Sequence, residues 1–164
     1  MDRRILRLPG EAPYSLLAER YPETFSCTTG AEAQLRERAE PGFRISCSPD
    51  GALFEHGSVA DLMRALGTWL SDPWQDRSGT PALTFRGLMI DCSRNAVLRP
   101  DVVRMILLRL ALLGYNAVCL YTEDTYEVKG HPAIGYRRGR YGIEELRALD
   151  RFAATLGIEM FPCI

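Results

Sequence analysis

Only two histidines occur, His56 and His131, and they stand far apart, while the five cysteines (Cys27, Cys47, Cys92, Cys119 and Cys163) include no Cys-x-x-Cys pair. A zinc site built from clustered His and Cys is therefore not expected. The odd cysteine count, wide spacing and mostly apolar surroundings also argue against a disulfide framework. They point to reduced packing thiols in a reducing compartment, so the expected location is cytoplasmic. No stretch approaches the run of about eighteen apolar residues that a membrane helix needs. The opening "MDRRILRLPGEAPY" lacks the continuous apolar segment of a signal peptide. Net charge is small as well, −1 from 20 Lys and Arg against 21 Asp and Glu. That balance supplies no long-range field to gather nucleic acid or anionic lipid, and neither is expected as a partner.

What is present is ordinary globular composition, 46% hydrophobic and 25% charged over 164 residues, enough for one domain or a small domain with part of a second. The polar stretch "SDPWQDRSGTP" (71–81) reads as a linker. It divides the chain into a small α+β supporting domain over 1–75 and an α/β segment over 76–164. In the first part the strand-like runs are "RILRL", "TFSCT", "GFRISCS" and "ALFEH". "SPDG" (48–51) predicts a hairpin turn. One helix starts at Ser58, where Ser-x-x-Asp61 resembles a capping box and Leu62, Leu66 and Trp69 share a face. No residue there suggests chemistry.

The second part is more regular. "LTFRGLMIDCS" (83–93) has strand length, Pro100 and Asp101 open a largely apolar helix that Gly114 ends, and "NAVCLY" (116–121) is a second buried strand. A loop of roughly twenty residues follows. A helix over 144–156, with Leu146, Leu149, Phe152 and Leu156 on one side, then leads to "IEMFPCI" (158–164). This β-α-β-α-β order with near-continuous apolar strands predicts a parallel sheet covered by helices. The last strand carries no polar cap and would leave an open apolar edge, so the chain is expected to be the front of a longer α/β protein.

Sites in parallel α/β folds form at the carboxyl ends of strands. The first strand ends in Asp91, Ser93, Arg94 and Asn95, and the second in Tyr121, Glu123, Asp124, Tyr126 and Glu127. Adjacent strand ends lie about 5 Å apart, so Arg94 and the acids can meet over one edge. A guanidinium fork beside carboxylates suits a ligand bearing several hydroxyls, such as a sugar, with tyrosines to stack on its apolar face. Each residue also has a plainer reading. Arg94 can be an ion-pair partner of Asp91 or Asp124, Glu123 and Asp124 a solvated loop start, and Asp91 a helix cap or hydrogen-bond acceptor. Arg137, Arg138 and Arg140 read as surface charge or loop anchors, His131 as a loop residue, and Tyr121, Tyr126, Tyr136 and Tyr141 as loop packing.

"FRGLMIDCSRN" (85–95), "LGYNAVCLYTEDTYE" (113–127), "GYRRGRY" (135–141) and "LGIEMFPCI" (156–164) resemble, in order and spacing, the start of the catalytic barrel of glycoside hydrolase family 20. Those enzymes are exo-acting β-N-acetylhexosaminidases. The resemblance spans residues 83–164 and implies an incomplete (β/α)8 TIM barrel, truncated after its third strand, behind a small α+β domain. The family pattern R-G-x-x-x-D-x-S-R is met from Arg86 to Arg94, which implies that Arg94 holds hydroxyls of the terminal sugar. Asp124 keeps an expected acid, and Glu123 beside it is taken as a further substrate-binding residue. Tyr121 and Thr125 stand where many members carry other residues, a departure that leaves the choice between GlcNAc and GalNAc open.

The resemblance further implies substrate-assisted, retaining hydrolysis of terminal β-linked N-acetylhexosamine from oligosaccharides or glycoconjugates, with no cofactor or metal. The sugar's own acetamido oxygen attacks the anomeric carbon, an aspartate steadies that group, and an adjacent glutamate protonates the leaving oxygen. That Asp-Glu pair belongs to the fourth strand, beyond Ile164, so no catalytic residue is expected in this chain. Alone it is expected to be inactive, its natural partner being the remainder of the barrel. The alternatives are a receiver-like α/β module holding Mg²⁺ with Asp91, Glu123 and Asp124, and a non-catalytic sugar-binding protein.

Overall fold

The computed structural model describes residues 5–164, in two compact units, one ending at Ala82 and one running from Leu83 to Ile164. In the first unit the chain order is β1 (Leu6–Arg7), α1 (Tyr14–Arg20), β2 (Phe25–Ser26), β3 (Ala31–Glu37), β4 (Phe43–Ser48), β5 (Gly51–His56), α2 (Val59–Ser71) and β6 (Arg77–Gly79). The six strands form one sheet in the order β2-β1-β3-β5-β4-β6. Residue 4 of the expected first strand lies outside the described residues.

The local signals in this unit act as their chemistry dictates. Ser48 pairs with Gly51 across the β4–β5 hairpin, which leaves Pro49 and Asp50 as its two-residue turn. The Ser58 hydroxyl accepts the Asp61 N–H at 3.1 Å and donates to the Asp61 carboxylate at 2.8 Å, closing the first turn of α2. The same carboxylate oxygen accepts the Gly42 N–H at 3.0 Å. Leu62, Leu66 and Trp69 are buried.

One strand has no counterpart among the expected elements, and one reading changes. "AEAQLRE" is made of helix formers, yet it is β3, because parallel ladders to β1 and β5 on either side outweigh local propensity. Part of the stretch read as a linker is also a strand. Arg77–Gly79 pairs antiparallel with β4 and covers an edge that would otherwise be open. Gly79 is required there, since a Cβ would stand 2.8 Å from the Phe43 ring.

The second unit runs β7 (Gly87–Asp91), α3 (Pro100–Leu112), β8 (Ala117–Tyr121), α4 (Ile143–Thr155) and β9 (Glu159–Cys163). Pro100 occupies the first turn of α3 with Asp101, and Gly114 at φ 88° ends the helix region. The Glu145 carboxylate accepts the Gly142 N–H at 2.8 Å to start α4, and Gly157 at φ 71° follows its end. Leu107, Ala111, Leu149, Ala153 and Leu156 are buried between the helices and the sheet, with Val118 and Leu120 of the central strand. On the other sheet face Met89 pairs in register with Cys119 and Phe161. That face is more open, with Met89 58% exposed.

All three strands are parallel, in the order β7-β8-β9. Each strand is laid beside its predecessor after one helix, as in a (β/α) barrel. A receiver-like module would place its first strand between the second and third, so the strand order speaks against the Mg²⁺-binding alternative. Among the described residues no helix is long and apolar enough to cross a membrane.

Candidate functional site

The carboxyl ends of β7 and β8 carry the polar residues that the sequence brings forward. Asp91, the last residue of β7, is half-buried, and its Oδ1 accepts the backbone N–H groups of Ser93 and Arg94, both at 3.0 Å. These two bonds fold the chain back over the strand end. Arg94 Nε then donates to Asp91 Oδ2 at 2.5 Å, and the guanidinium carbon lies 5.2 Å from the centroid of the Tyr121 ring. Arg94 therefore pairs with Asp91, not with Asp124. Its two terminal nitrogens make no hydrogen bond among the described residues, and its side chain is 70% exposed. The fork is oriented by one nitrogen and one ring, while the rest of it remains available.

Glu123, two residues past β8, adopts φ 49°, the left-handed region that residues with a side chain seldom occupy. Its carboxylate accepts Ser93 Oγ–H at 2.6 Å through one oxygen and the Tyr121 hydroxyl through the other. Asp124 faces Arg138, whose Nη1 donates to it at 2.9 Å. Arg138 Nη2 donates to the carbonyl oxygen of Ser93. Beneath these, buried Thr125 donates toward the Cys92 and Thr122 carbonyls at 3.1 and 2.8 Å. The strand-end loops are thus sewn together. Between them lies an open cleft of about 490 Å³ lined by Ser93, Arg94, Val97, Glu123, Arg138 and Gly139.

Electrostatics follow the geometry. Backbone N–H groups of Arg94 and Ser93, with the Arg94 guanidinium, hold the Asp91 carboxyl below the usual carboxylate range. Hydrogen bonds from Ser93 and Tyr121, helped by the nearby Arg94 and Arg138 charges, do the same for Glu123. The Tyr121 phenol is pushed up by its bond to Glu123. Both acids are thereby kept ionised, as hydrogen-bond acceptors rather than proton donors. Among the described residues no three His, Cys, Asp or Glu side chains are grouped to hold a metal ion.

The long loop after β8 is better ordered by hydrogen bonds than its composition suggests. Tyr141 N–H donates to the Thr125 carbonyl at 3.0 Å, and Glu127 N–H to the Tyr141 carbonyl at 2.9 Å. Tyr141 is 1% exposed, with its hydroxyl on the Leu98 carbonyl at 2.7 Å. It is a core residue under the loop rather than part of the cleft rim. Tyr136 is exposed, with Arg137 over its ring. Arg140 donates to the Ile134 carbonyl at 2.6 Å and anchors its own loop. His131 is an exposed loop residue.

Two residues carry more than sequence reasoning gave them. Ser93 joins Asp91, Glu123 and Arg138, and Arg138 reaches across to the other loop. The available signal was the pair of glycines around Arg138 in "GYRRGRY", which marks a backbone that turns tightly to deliver a side chain.

No family model matches the chain. Among solved structures it is similar to a glycoside hydrolase family 20 exo-β-N-acetylglucosaminidase from Vibrio harveyi in complex with N-acetylglucosamine. That match has 18% identity and a TM-score of 0.75, and covers 99% of this chain and 33% of that one. It is also similar to the family 20 β-N-acetylhexosaminidase from Streptomyces coelicolor A3(2), at 19% identity and a TM-score of 0.73, over 99% of this chain and 42% of that one. A Streptomyces plicatus β-hexosaminidase variant in complex with GlcNAc matches at 20% identity and a TM-score of 0.74, again over 99% and 42%. The chain spans well under half the length of each. At these identities what is shared is the fold, and that fold, the barrel start with its preceding α+β unit, is the one that the sequence resemblance implied.

Proposed function

We propose that this chain supplies the sugar-binding front of an exo-acting β-N-acetylhexosaminidase that removes terminal β-linked GlcNAc or GalNAc by substrate-assisted, retaining hydrolysis. The observation that carries this reading is Arg94. Its Nε is fixed on Asp91 and its guanidinium lies over Tyr121, its two terminal nitrogens make no hydrogen bond among the described residues, and the residue lines an open cleft at the strand ends. A fork held in place before the ligand arrives pays little ordering entropy on binding, and two parallel N–H donors match vicinal hydroxyls. Glu123 and Asp124 provide carboxylate acceptors beside it. Of the three solved structures described above, two are in complex with N-acetylglucosamine, which supports an N-acetylhexosamine as the ligand class.

The reaction we assign proceeds in two steps. The substrate's acetamido oxygen attacks the anomeric carbon as the aglycone leaves, and water then opens the cyclic intermediate with retention. The Asp-Glu pair that orients the acetamido group and protonates the leaving oxygen lies, in this reading, on a strand beyond Ile164. Arg94, Glu123 and Asp124 bind substrate and perform no proton transfer. Glu123 and Asp124 do not stand in for the missing pair, because the donors around Glu123 hold it ionised and Arg138 occupies Asp124. The coverage of 33–42% of the matched chains supports reading this chain as a piece of a longer barrel. The free cysteines support a cytoplasmic setting.

The test is turnover of a chromogenic N-acetyl-β-glucosaminide. The 164-residue chain alone is expected to give none, and the protein extended past Ile164 along its gene is expected to release the chromophore. Turnover by the short chain would overturn the assignment of the catalytic pair. Sugar affinity without turnover in the extended protein would favour a non-catalytic sugar-binding protein.

A further inference from the structure

The site residues named so far do not explain why the backbone of the loop at 135–141 is contorted. Gly135 has φ 68°, and a Cβ there would stand 2.9 Å from the Asp124 carbonyl oxygen. Arg137 has φ 57°, again in the left-handed region. A Cβ at Gly139 would lie 3.2 Å from Val97 Cβ. Close approach at both glycines and an unfavourable backbone between them together deliver one side chain, that of Arg138, onto the neighbouring strand's loop. Its neighbours in sequence do otherwise: Arg137 lies over Tyr136, and Arg140 bonds within its own loop.

The contacts of Arg138 are those of a clamp. Nη1 takes Asp124 at 2.9 Å, while Nη2 takes the Ser93 carbonyl and lies 3.3 Å from Ser93 Oγ. Ser93 is 3% exposed and uses every polar atom it has. Its N–H goes to Asp91, its carbonyl receives Arg138, and its hydroxyl donates to Glu123. The Arg138–Asp124 pair is itself half-exposed, at 41% and 47%, and such a surface pair contributes little to stability. A planar fork with two parallel donors is what the bridge uses, and a lysine ammonium cannot span both acceptors in one geometry.

We propose that Arg138 is a positioning residue: by clamping Ser93 to Asp124 it fixes the two strand-end loops against each other and so sets where Glu123 and Arg94 stand in the cleft. What that geometry serves rests on the sugar-binding reading above, but the clamp can be tested without any sugar.

The experiment uses the 164-residue chain and its R138M, R138K and D124N variants. NMR follows the titration of the Glu123 side-chain carboxyl and the hydrogen exchange of the Arg94 amide, which donates to Asp91. In R138M the Glu123 midpoint is expected to rise by roughly half a pH unit or more, as the Ser93 hydrogen bond loosens and a nearby cation is lost. Arg94 amide exchange is expected to quicken about tenfold, while amides in α3 and α4 keep their protection. R138K, which keeps the charge, is expected to show the faster exchange as well, so the proposal stays testable if R138M folds poorly. D124N keeps the Ser93 contact but removes the charge on the other arm of the clamp, and is expected to quicken Arg94 exchange by less than R138M does.

Wild-type exchange at Arg94 in both Arg138 variants would overturn the clamp, as would wild-type exchange in D124N. A failure of the sugar reading shows in the turnover assay instead and leaves these outcomes untouched.

Discussion

The two ends of the β7–β8 ladder are built from similar residues to opposite effect. At the amino end Arg86 donates through Nε to the Gly114 carbonyl and through Nη1 to the Leu83 carbonyl, both at 2.6 Å. Asn116 accepts the Arg86 N–H at 2.8 Å and donates to the Thr84 carbonyl at 2.8 Å. These polar side chains close on the backbone. At the carboxyl end Arg94 spends one nitrogen on Asp91, has no other hydrogen bond from its guanidinium among the described residues, and lines an open cleft. Two arginines of one sequence pattern, separated by a single strand, thus divide the work. One holds the unit together and the other presents donors, as expected where the amino ends of barrel strands serve stability and the carboxyl ends serve function.

The contrast breaks first at Arg86. R86A removes two hydrogen bonds from a charged donor to backbone carbonyls and leaves those carbonyls short of a partner. A loss of about 2–3 kcal/mol is expected, read by urea denaturation. N116A removes an acceptor and a donor that are neutral and partly exposed, so a smaller loss of about 1–2 kcal/mol is expected from the same measurement. R94A is expected to leave stability nearly unchanged in the same measurement, because the Arg94 side chain is largely exposed. A loss at Arg94 equal to that at Arg86 would erase the distinction.

Acid sharpens the comparison further. Asp91 and Glu123 have folded carboxyl pKa values below their unfolded ones. Their contribution to stability is therefore complete above the unfolded values near pH 4, and is lost as pH falls through the folded values. The amino end has no such groups in its bonds. Exchange protection at Ser93 and Arg94, taken relative to the intrinsic rate at each pH, is thus expected to fall on acidification while that of the Asn116 region holds.

Legibility in the sequence followed how local each signal was. The Ser58 cap, the Pro49-Asp50 turn and the strands on either side of α3 and α4 rest on residues a few positions apart, and the structure contains them. β3 was not legible, because "AEAQLRE" becomes a strand only through ladders to β1 and β5, which come from distant parts of the chain. β6 was hidden for the same reason: its partner, β4, lies about thirty residues earlier, and turn-rich composition masked it. At the site, Arg94, Glu123 and Asp124 were legible as a polar cluster at strand ends. Their pairing was not. Spacing cannot say that Arg138 takes Asp124, that Ser93 takes Glu123, or that Tyr141 turns inward to Leu98.

The central claim is that Arg94, oriented by Asp91 and Tyr121, binds the terminal N-acetylhexosamine. It is tested most directly by kcat/KM on a chromogenic N-acetyl-β-glucosaminide in the protein extended past Ile164, comparing R94A with the parent. Loss of two charged hydrogen bonds to the sugar predicts a fall of about a hundredfold or more with the fold intact. An R94A protein with unchanged kcat/KM would contradict the account.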